Sequence, residues 1–235
     1  KSFPGEFHER CHWAKNYKAG KLYDYPISEE FIASLPAKTR DSIQNELKER
    51  SDLQSANTET YAEYVEHLAG PTLTELFFTT YPFKLWGVPT SELDANWAPK
   101  RVTIKKERSP FYGGQWAAVG KNGTSSIIQS LERQCVEQKV AIFRNEAVIG
   151  VHAEHGFIRE IATDINTYPC GSEDIVLNTT SMTKAAAFLG LDCEVSYRGV
   201  ILVYVHTSCV KPLPEDCDFI YIDDLDIIFN RVSDQ

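Results

Sequence analysis

The sequence lacks the glycine-rich loops with which proteins usually hold the phosphates of nucleotides. Neither G-x-G-x-x-G nor G-x-x-x-x-G-K-[ST] occurs in its 235 residues. The backbone N–H groups of such loops hold the pyrophosphate of a dinucleotide. We therefore do not expect this chain, by itself, to bind a dinucleotide cofactor in the usual manner.

Long apolar runs are also missing. No stretch approaches the roughly 20 apolar residues of a membrane helix, and the first six residues lack the apolar segment of a secretory signal. We predict a cytoplasmic protein with no membrane partner. The chain begins at Lys1 and its only methionine is Met182, so we expect a piece of a longer protein.

The chain is acidic, because its 24 Lys and Arg residues are outnumbered by 33 Asp and Glu residues, which gives a net charge of −9. Such a surface repels polyanions, and nucleic acid is not an expected partner. The six cysteines include no C-x-x-C pair and favour reduced thiols. His8 to His12 matches H-E-x-x-H, but at the extreme start of the chain, after Pro4-Gly5. We interpret this as a chance match and predict no metal site.

The apolar pattern before residue 100 has the period of helices. One stripe combines Tyr61, Tyr64, Val65 and Leu68, with Thr58 as the expected N-cap. Further helices are predicted around Ile43 and Leu47, from Pro71 onward, and from Ser91 to Trp97.

After residue 101 the pattern is mainly that of strands. The exception is one helix with Ile127, Ile128, Leu131 and Cys135 on one face, capped by Thr124 or Ser125. Glu154-His155-Gly156 and Asp223 to Asp226 are predicted turns. The predicted strands are Val140–Phe143, Ala147–His152, Phe157–Thr163, Ile175–Leu177, Gly199–His206, Phe219–Ile222 and Ile227–Val232.

Helices in one half and hairpin-linked strands in the other predict an α+β fold. We expect a helical lobe at residues 1–100, followed at residues 101–235 by a mostly antiparallel β-sheet lobe with one packed helix. No Gly/Ser-rich linker separates them, so we expect the lobes to be in contact.

Residues 81–87, Y-P-F-K-L-W-G, place three aromatics in seven residues. The segment follows a helix pattern, is interrupted by Pro82 and ends at Gly87, so it must leave its helix near a surface. Tyr81 and Trp86 there are suited to stacking on a flat ligand. The competing interpretation is that this segment forms the edge of a hydrophobic core.

Three further positions are candidates for contacts with an anion or a cofactor. Arg198 precedes an apolar strand pattern and Arg231 ends another, and a guanidinium binds phosphate through two hydrogen bonds. Ordinary surface ion pairs compete with this interpretation. Gly123 precedes a helix start, where free N–H groups could meet an anion or a cofactor edge, although a plain loop is as consistent with the sequence.

Five motifs follow one another along the chain: G-K-L-Y-D-Y-P at residues 20–26, Y-P-F-K-L-W-G at 81–87, K-N-G at 121–123, Y-R-G at 197–199 and F-N-R at 229–231. Together and in this order they resemble the UDP-galactopyranose mutases and the wider flavin-containing amine oxidase and protoporphyrinogen-oxidase-like group. In such proteins an FAD-binding Rossmann domain carries an inserted substrate lobe. The resemblance implies that this chain is that lobe, without the FAD-binding segments.

The resemblance also implies residue roles. Tyr81 and Trp86 would hold the uridine of a UDP-sugar, Arg198 and Arg231 its diphosphate, and Gly123 would lie near the flavin. The implied chemistry is attack of reduced flavin on the anomeric carbon of the sugar, then ring opening and reclosure. FAD would belong to the parent protein, and none is expected to bind tightly to this chain; no catalytic residue can be named.

Two alternatives stay open. Pro82 and Leu85 depart from the mutase pattern, as does Asn122-Gly123-Thr124. A substrate domain of an FAD-dependent amine or protoporphyrinogen-type oxidase, with an apolar pocket, is one alternative. A non-catalytic carbohydrate- or partner-binding module is the other. The two arginines favour an anionic nucleotide sugar, bound in a cleft between Trp86 and Arg198 that the flavin domain would close.

Overall fold

The computed structural model describes residues 7–49, 58–99, 102–110, 116–195 and 197–234. The described residues confirm an α+β fold with mostly antiparallel sheets. They contain the strands β1 Phe7–Glu9, β2 Ala14–Lys18, β3 Lys21–Tyr25, β4 Ala118–Gly120, β5 Val148–Glu154, β6 Phe157–Thr163, β7 Thr167–Pro169, β8 Phe219–Ile222 and β9 Arg231–Ser233. Their helices are α1 Glu29–Ser34, α2 Ala37–Glu49, α3 Tyr61–Leu73, α4 Thr80–Trp86, α5 Thr124–Glu137 and α6 Met182–Phe188.

The chain separates into two compact units, one made of Lys1–Thr124 with Val205–Gln235 and the other of Ser125–Tyr204. The division into lobes at residue 100, which was inferred from the change in secondary-structure pattern, stays a prediction. None of the helices in the described ranges is both long and apolar enough to cross a bilayer.

The first unit contains a four-stranded sheet in the order β3-β2-β8-β9. Strands β2 and β3 form a hairpin that the sequence interpretation did not identify. Ala19 and Gly20 both have positive φ at its turn, which is the backbone of the two-residue turns that suit the twist of hairpins. Strand β8 joins β2 in parallel, and all other ladders of this sheet are antiparallel.

The two faces of this sheet pack against different partners, because side chains alternate along each strand. One face, here called the inner face, carries Asn16, Tyr25, Phe219 and Tyr221. The opposite face buries a smaller apolar cluster. That cluster consists of Cys217, Ile220 and Ile222 with Tyr17, Leu213 and Ile227.

A closed set of ion pairs covers part of the opposite face. The Lys15 ammonium lies 2.7 Å from Asp24 and 3.0 Å from Asp216. The Arg108 guanidinium contacts the same two carboxylates at 3.3 and 2.9 Å, and it stacks over the Trp13 ring at 4.8 Å. These alternating positive and negative groups connect segments that are distant in the sequence to the sheet. The hydrogen bond from Lys15 holds the pKa of Asp216 below its usual range.

The predicted helix with Tyr61 and Val65 is confirmed as α3, whose buried stripe forms the centre of the larger core. Its N-cap is Thr60 and not Thr58. The Thr60 hydroxyl accepts from the Glu63 N–H at 3.3 Å, and the Glu63 carboxylate accepts from the Thr60 N–H at 3.2 Å. This reciprocal capping box stabilises a helix start better than a single cap.

The predicted break at Gly70-Pro71 is also confirmed. Gly70 has φ 78° and ψ 161°, and a second helical segment begins at Pro71. The Glu46 carboxylate of α2 accepts from the Thr72 N–H at 3.0 Å and from the Thr72 hydroxyl at 2.5 Å. It therefore satisfies an N–H group at the new helix start, which lacks a partner within the helix.

A π-helical turn, Thr74–Phe78, leads from this segment into α4. The ammonium of Lys18 donates to the carbonyl oxygens of Glu75 and Leu76 at 3.1 and 2.6 Å. Downstream of α4, the predicted helix at residues 91–97 is instead two 3₁₀ turns, Thr90–Glu92 and Ala95–Trp97. Asp94 separates them and accepts from the Asn96 N–H at 2.7 Å.

In the second unit, α5 and the β5–β6 hairpin confirm two predictions. The hairpin turns at His155 and Gly156, both with positive φ. Helix α5 begins at Thr124 itself, so neither predicted residue precedes it as a cap.

Three predicted strands are wrong, namely Val140–Phe143, Ile175–Leu177 and Gly199–His206, which belong to no strand. In the described part of the chain no ladder partner lies beside these segments, and a strand exists only with one. The last predicted strand shortens to β9, since residues 227–230 turn into it.

We expect Gly70→Ala to lower the free energy of unfolding far more than Gly20→Ala does. An added Cβ at Gly70 would lie 2.6 Å from the Glu46 carboxylate oxygen and 2.8 Å from the Glu46 Cβ, whereas at Gly20 it would meet nothing within 4 Å. Gly20→Ala measures the strain of a positive φ without a close contact, about 1 kcal/mol. At Gly70, with ψ 161°, the backbone conformation is one that essentially only glycine adopts, and this strain adds to the close contact. Urea denaturation checks this, and equal losses would contradict the close contact with Glu46.

Candidate functional site

Helix α4 carries the predicted stacking segment and packs against two neighbours. Its Tyr81 ring meets Tyr221 on the inner face of the sheet, with centroids 4.8 Å apart. Its Trp86 ring meets Trp97 edge to face, with centroids 5.8 Å apart. Because residues five apart lie about 140° apart around a helix, the two predicted substrate residues point to different sides of α4.

The end of α4 presents aromatic rings to solvent. Phe83 is 42% and Trp86 is 37% exposed, and these two side chains are here called the aromatic surface of α4. Gly87, with φ 74°, ends the helix, and its N–H donates to the Phe83 carbonyl at 2.6 Å. Only glycine adopts this left-handed cap readily, so the sequence stops the helix directly after Trp86.

The indole of Trp86 has a rigid backing. Trp97 packs in turn on the Tyr61 ring at 5.1 Å, and Tyr61 is almost fully buried in the core of α3. One side of the indole is thus fixed by protein while part of it stays open. The arrangement confirms a surface position for the predicted segment and rules out full burial of the indole in the core.

Arg231 lies next to Tyr221, the residue that the Tyr81 ring contacts. It is the register partner of Tyr221 in the β8–β9 ladder, and directly opposed residues of an antiparallel pair project from the same face. The exposed Arg231 therefore shares the inner face with Tyr221, whose ring contacts Tyr81. Tyr81 and Arg231 are brought together through Tyr221, a residue that the sequence interpretation did not select.

A lysine fastens α4 to the end of β8. The Lys84 ammonium donates to the carbonyl oxygens of Ile222 and Asp224 at 3.2 and 2.8 Å. Its partial burial lowers its pKa, against the attraction of the Asp223 and Asp224 carboxylates. The two carbonyls flank Asp223 in the chain, so the positive charge lies against the backbone on both sides of this residue.

Asp223 is a buried carboxyl, with 1% of its surface exposed. One oxygen accepts from the Asn16 side-chain amide at 3.1 Å, and the other has no donor among the described residues. Burial raises the pKa of Asp223 to about 6, although the hydrogen bond from Asn16 and the nearby Lys18 and Lys84 favour its ionised form. Sequence reasoning placed Asp223 in a turn, and nothing in D-D-L-D distinguishes the buried carboxyl from its neighbours.

Gly123 lies in the turn between β4 and α5. It has φ 78°, and a Cβ there would meet nothing within 4 Å. The backbone conformation explains the glycine, and no close-fitting cradle surrounds it. That Gly123 lies near a flavin stays a prediction.

Arg198 belongs to the second unit, whereas Tyr81, Trp86, Gly123 and Arg231 belong to the first. The predicted cleft between Trp86 and Arg198 stays a prediction. Arg198 and Arg231 are both exposed, and neither guanidinium has an ion pair with a carboxylate of the described ranges. The competing interpretation of ordinary surface ion pairs is thus not supported for either arginine.

The H-E-x-x-H match does not lie on a helix. His8 and Glu9 lie in β1, opposite Val119 and Ala118 of β4, and His12 lies beyond the end of that strand. Residues four apart are one turn apart on a helix, as the zinc motif requires, whereas they are about 13 Å apart along an extended chain. Within the described ranges, no three His, Cys, Asp or Glu side chains form a cluster suited to a metal ion.

Comparison with known proteins identifies a fold. No protein-family model matches the chain. A crystal structure of reduced UDP-galactopyranose mutase superimposes with a TM-score of 0.71 and 15% sequence identity, over 99% of this chain and 54% of that one. The chain thus has the fold of a part of that enzyme and spans about half of its length.

Replacing Asp223 by asparagine is expected to stabilise the protein at neutral pH. The folded-state pKa of about 6 lies above the ordinary value of 3.8, so the contribution of Asp223 to stability is greatest below about pH 4 and falls as pH rises to 6. Asp223→Asn lacks this fall, and its advantage should grow over that range to on the order of 3 kcal/mol.

The exposed Asp226→Asn serves as the control, because it removes the same charge three residues away. Urea denaturation between about pH 4 and pH 7.5 measures the difference in unfolding free energy. A loss of stability in Asp223→Asn that is equal at every pH would contradict the prediction.

Proposed function

We propose that this chain is the substrate-binding portion of a flavin-dependent enzyme that acts on a nucleotide sugar, as UDP-galactopyranose mutase does on its substrate. The observation that carries the proposal is the half-exposed indole of Trp86, backed by Trp97 at the end of α4. The fold match, which spans 99% of the chain, supports it.

Each residue then has a defined part in binding. Trp86 stacks on the uracil ring, since a flat base gains contact with an indole without directional hydrogen bonds. Arg231, exposed on the edge strand beside Tyr221, binds the diphosphate. Tyr81 packs on the same Tyr221 ring, so its position is set by the sheet that also carries Arg231. Arg198 is the second arginine proposed to bind the diphosphate.

The described residues bind and orient the substrate and supply no group for the chemistry on the sugar. FAD is proposed to bind a different part of the parent protein, because the sequence contains no dinucleotide fingerprint. The parent protein is accordingly proposed to be a cytoplasmic flavoenzyme, and the partners of this chain are a UDP-sugar and the FAD-binding domain.

Trp86→Ala is expected to weaken binding of uridine and of UDP by the same factor, about tenfold, because base stacking on an aromatic side chain is worth about 1–3 kcal/mol. Trp116→Ala is the matched control, since Trp116 is also an exposed tryptophan of the first unit and packs on Phe7. Isothermal titration calorimetry on the 235-residue chain measures both affinities. Equal effects of the two variants would show that Trp86 does not belong to the binding site.

Arg231→Ala and Arg198→Ala are expected to weaken UDP binding at least about fivefold each and to leave uridine binding unchanged, because a charge-assisted hydrogen bond to phosphate is lost. Arg133→Ala on the exposed side of α5 is the control. The affinity for UDP should also fall with added salt, and less steeply in either variant. Binding of an uncharged amine in preference to UDP would instead favour the oxidase alternative.

A further inference from the structure

We propose that Lys18 and Lys84 are positioning residues for the aromatic surface of α4: through hydrogen bonds to main-chain carbonyls they fix the side of α4 from which Trp86 meets a ligand. Lys18 acts from the sheet on the chain before α4, and Lys84 acts from α4 on the sheet. The inference deepens the proposed function, on which it rests only for the identity of the ligand. The attachment of α4 by the two lysines is a property of the chain without ligand.

The direction in which α4 faces depends on the π-helical turn Thr74–Phe78 that precedes it. Such a turn closes its hydrogen bonds one residue later than an α-helical turn and is rare. Thr79 keeps right-handed helical angles, with φ −100° and ψ −51°, so the turn leads directly into α4. Successive residues lie about 100° apart around a helix. The additional residue of the turn therefore changes the side of α4 on which Tyr81 and Trp86 lie.

Side chains hold this turn through three consecutive carbonyl oxygens. The Lys18 ammonium donates to the carbonyls of Glu75 and Leu76 at 3.1 and 2.6 Å, and the Thr79 hydroxyl donates to the Thr74 carbonyl at 2.9 Å. Of these two donors, Lys18 is the one that comes from the sheet, where it is the last residue of β2. Because a hydrogen bond from a charged donor is stronger than one from a neutral donor, we expect Lys18 to be the main connection between the turn and the sheet.

Lys84 makes the reverse connection, from α4 to the end of β8. Its ammonium donates to the carbonyls of Ile222 and Asp224 at 3.2 and 2.8 Å. Tyr17, the residue before Lys18, is the register partner of Ile222 in the parallel β2–β8 pair. Both lysines therefore connect the helical segment to the same end of two adjacent strands.

The two connections together fix what one of them would leave free. Helix α4 has seven residues, and isolated helices of this length are unstable in water, so its position depends on contacts with the rest of the unit. Lys18 holds the turn before the helix and Lys84 holds the helix itself. Helix α4 can thus neither shift along its axis nor rotate around it without losing at least one pair of these hydrogen bonds.

Both ammonium groups respond to the position of the backbone and not to a mobile carboxylate. In the described part of the chain, each donates to two main-chain carbonyls, and neither forms an ion pair with an Asp or Glu side chain. A main-chain carbonyl moves only with the element to which it belongs. The two lysines are therefore suited to hold a helix in place.

NMR on the ligand-free chain tests the attachment. The indole N–H of Trp86 and the amide of Gly87 report on α4, and the indole N–H of Trp116 serves as the folding control. We expect Lys18→Met and Lys84→Met each to shift the signals of Trp86 and Gly87 and to leave the signal of Trp116 in place. Loss of the Trp116 signal in both variants would show a general role in folding and would overturn the proposal.

Lys21→Met is the matched control for the change in charge. Lys21 is the register partner of Lys18 in the β2–β3 hairpin and is exposed, so its loss should leave Trp86 and Gly87 unchanged. Lys84→Arg, which keeps the charge and several N–H donors, should retain the wild-type signals. Unchanged signals in both lysine-to-methionine variants of the proposed pair, or equal shifts in Lys21→Met, would contradict the proposal.

Binding of uridine and of UDP separates positioning from direct contact with phosphate. Because the lysines act through Trp86, Lys18→Met and Lys84→Met should weaken binding of both ligands by the same factor, about fivefold, which is less than the loss expected on removing the indole itself. In the Trp86→Ala background they should have no further effect on uridine affinity, since a double-mutant cycle isolates the interaction between two positions. A loss confined to UDP would make the lysines direct contacts of the anion and overturn the inference.

Failure of the proposed function is distinguishable from failure of this inference. If neither uridine nor UDP binds the wild-type chain, the proposed function is wrong, and the NMR signals of the ligand-free chain still decide whether the lysines position α4. If both ligands bind, wild-type affinities in Lys18→Met and Lys84→Met would contradict the inference and leave the proposed function intact.

Discussion

The contact between the inner face of the four-stranded sheet and the helices above it is the constraint on which the first unit depends. Rings of Tyr25, Phe219, Tyr221 and Tyr81 meet there with centroids about 5 Å apart. Such contacts fix orientation as well as burying apolar area. Helix α4 is too short to hold its own shape, so this contact determines where Trp86 points.

A charged group is buried beneath the same contact between the sheet and the helices. The Asp223 carboxyl at the end of β8 is buried, and the cations that attract it are Lys18 of β2 and Lys84 of α4. On the opposite face of the sheet the charges are instead paired in a closed set that is partly open to solvent. The two faces thus use charge differently: paired charges on the opposite face join distant segments of the chain, whereas Asp223 is buried with a hydrogen bond from Asn16 of the inner face.

The fold class, α3, the break at Gly70-Pro71, α5 and the β5–β6 hairpin could be predicted because local rules govern them. Helical period, proline at a helix start and positive φ at a turn are all readable from neighbouring residues. The β2–β3 hairpin was missed although its alternation was present, because the parallel partner that completes the sheet, β8, is some 200 residues away. Gly199–His206 has a strong strand pattern and still pairs with nothing described, since strand propensity only shows that a segment fits a sheet.

By itself, the sequence determined that an aromatic segment ends at Gly87 and that no dinucleotide loop is present, and it predicted that Arg198 and Arg231 contact an anion. These follow from residue types and spacings. Only the tertiary structure decided that Tyr81 and Trp86 point to different sides of α4, that Arg231 joins Tyr81 through Tyr221, and that Asp223 is buried while Asp226 is exposed. The burial of a side chain and the direction in which it points depend on residues far apart in the chain. The carboxylates of D-D-L-D are therefore indistinguishable in the sequence, and only folding buries one of them.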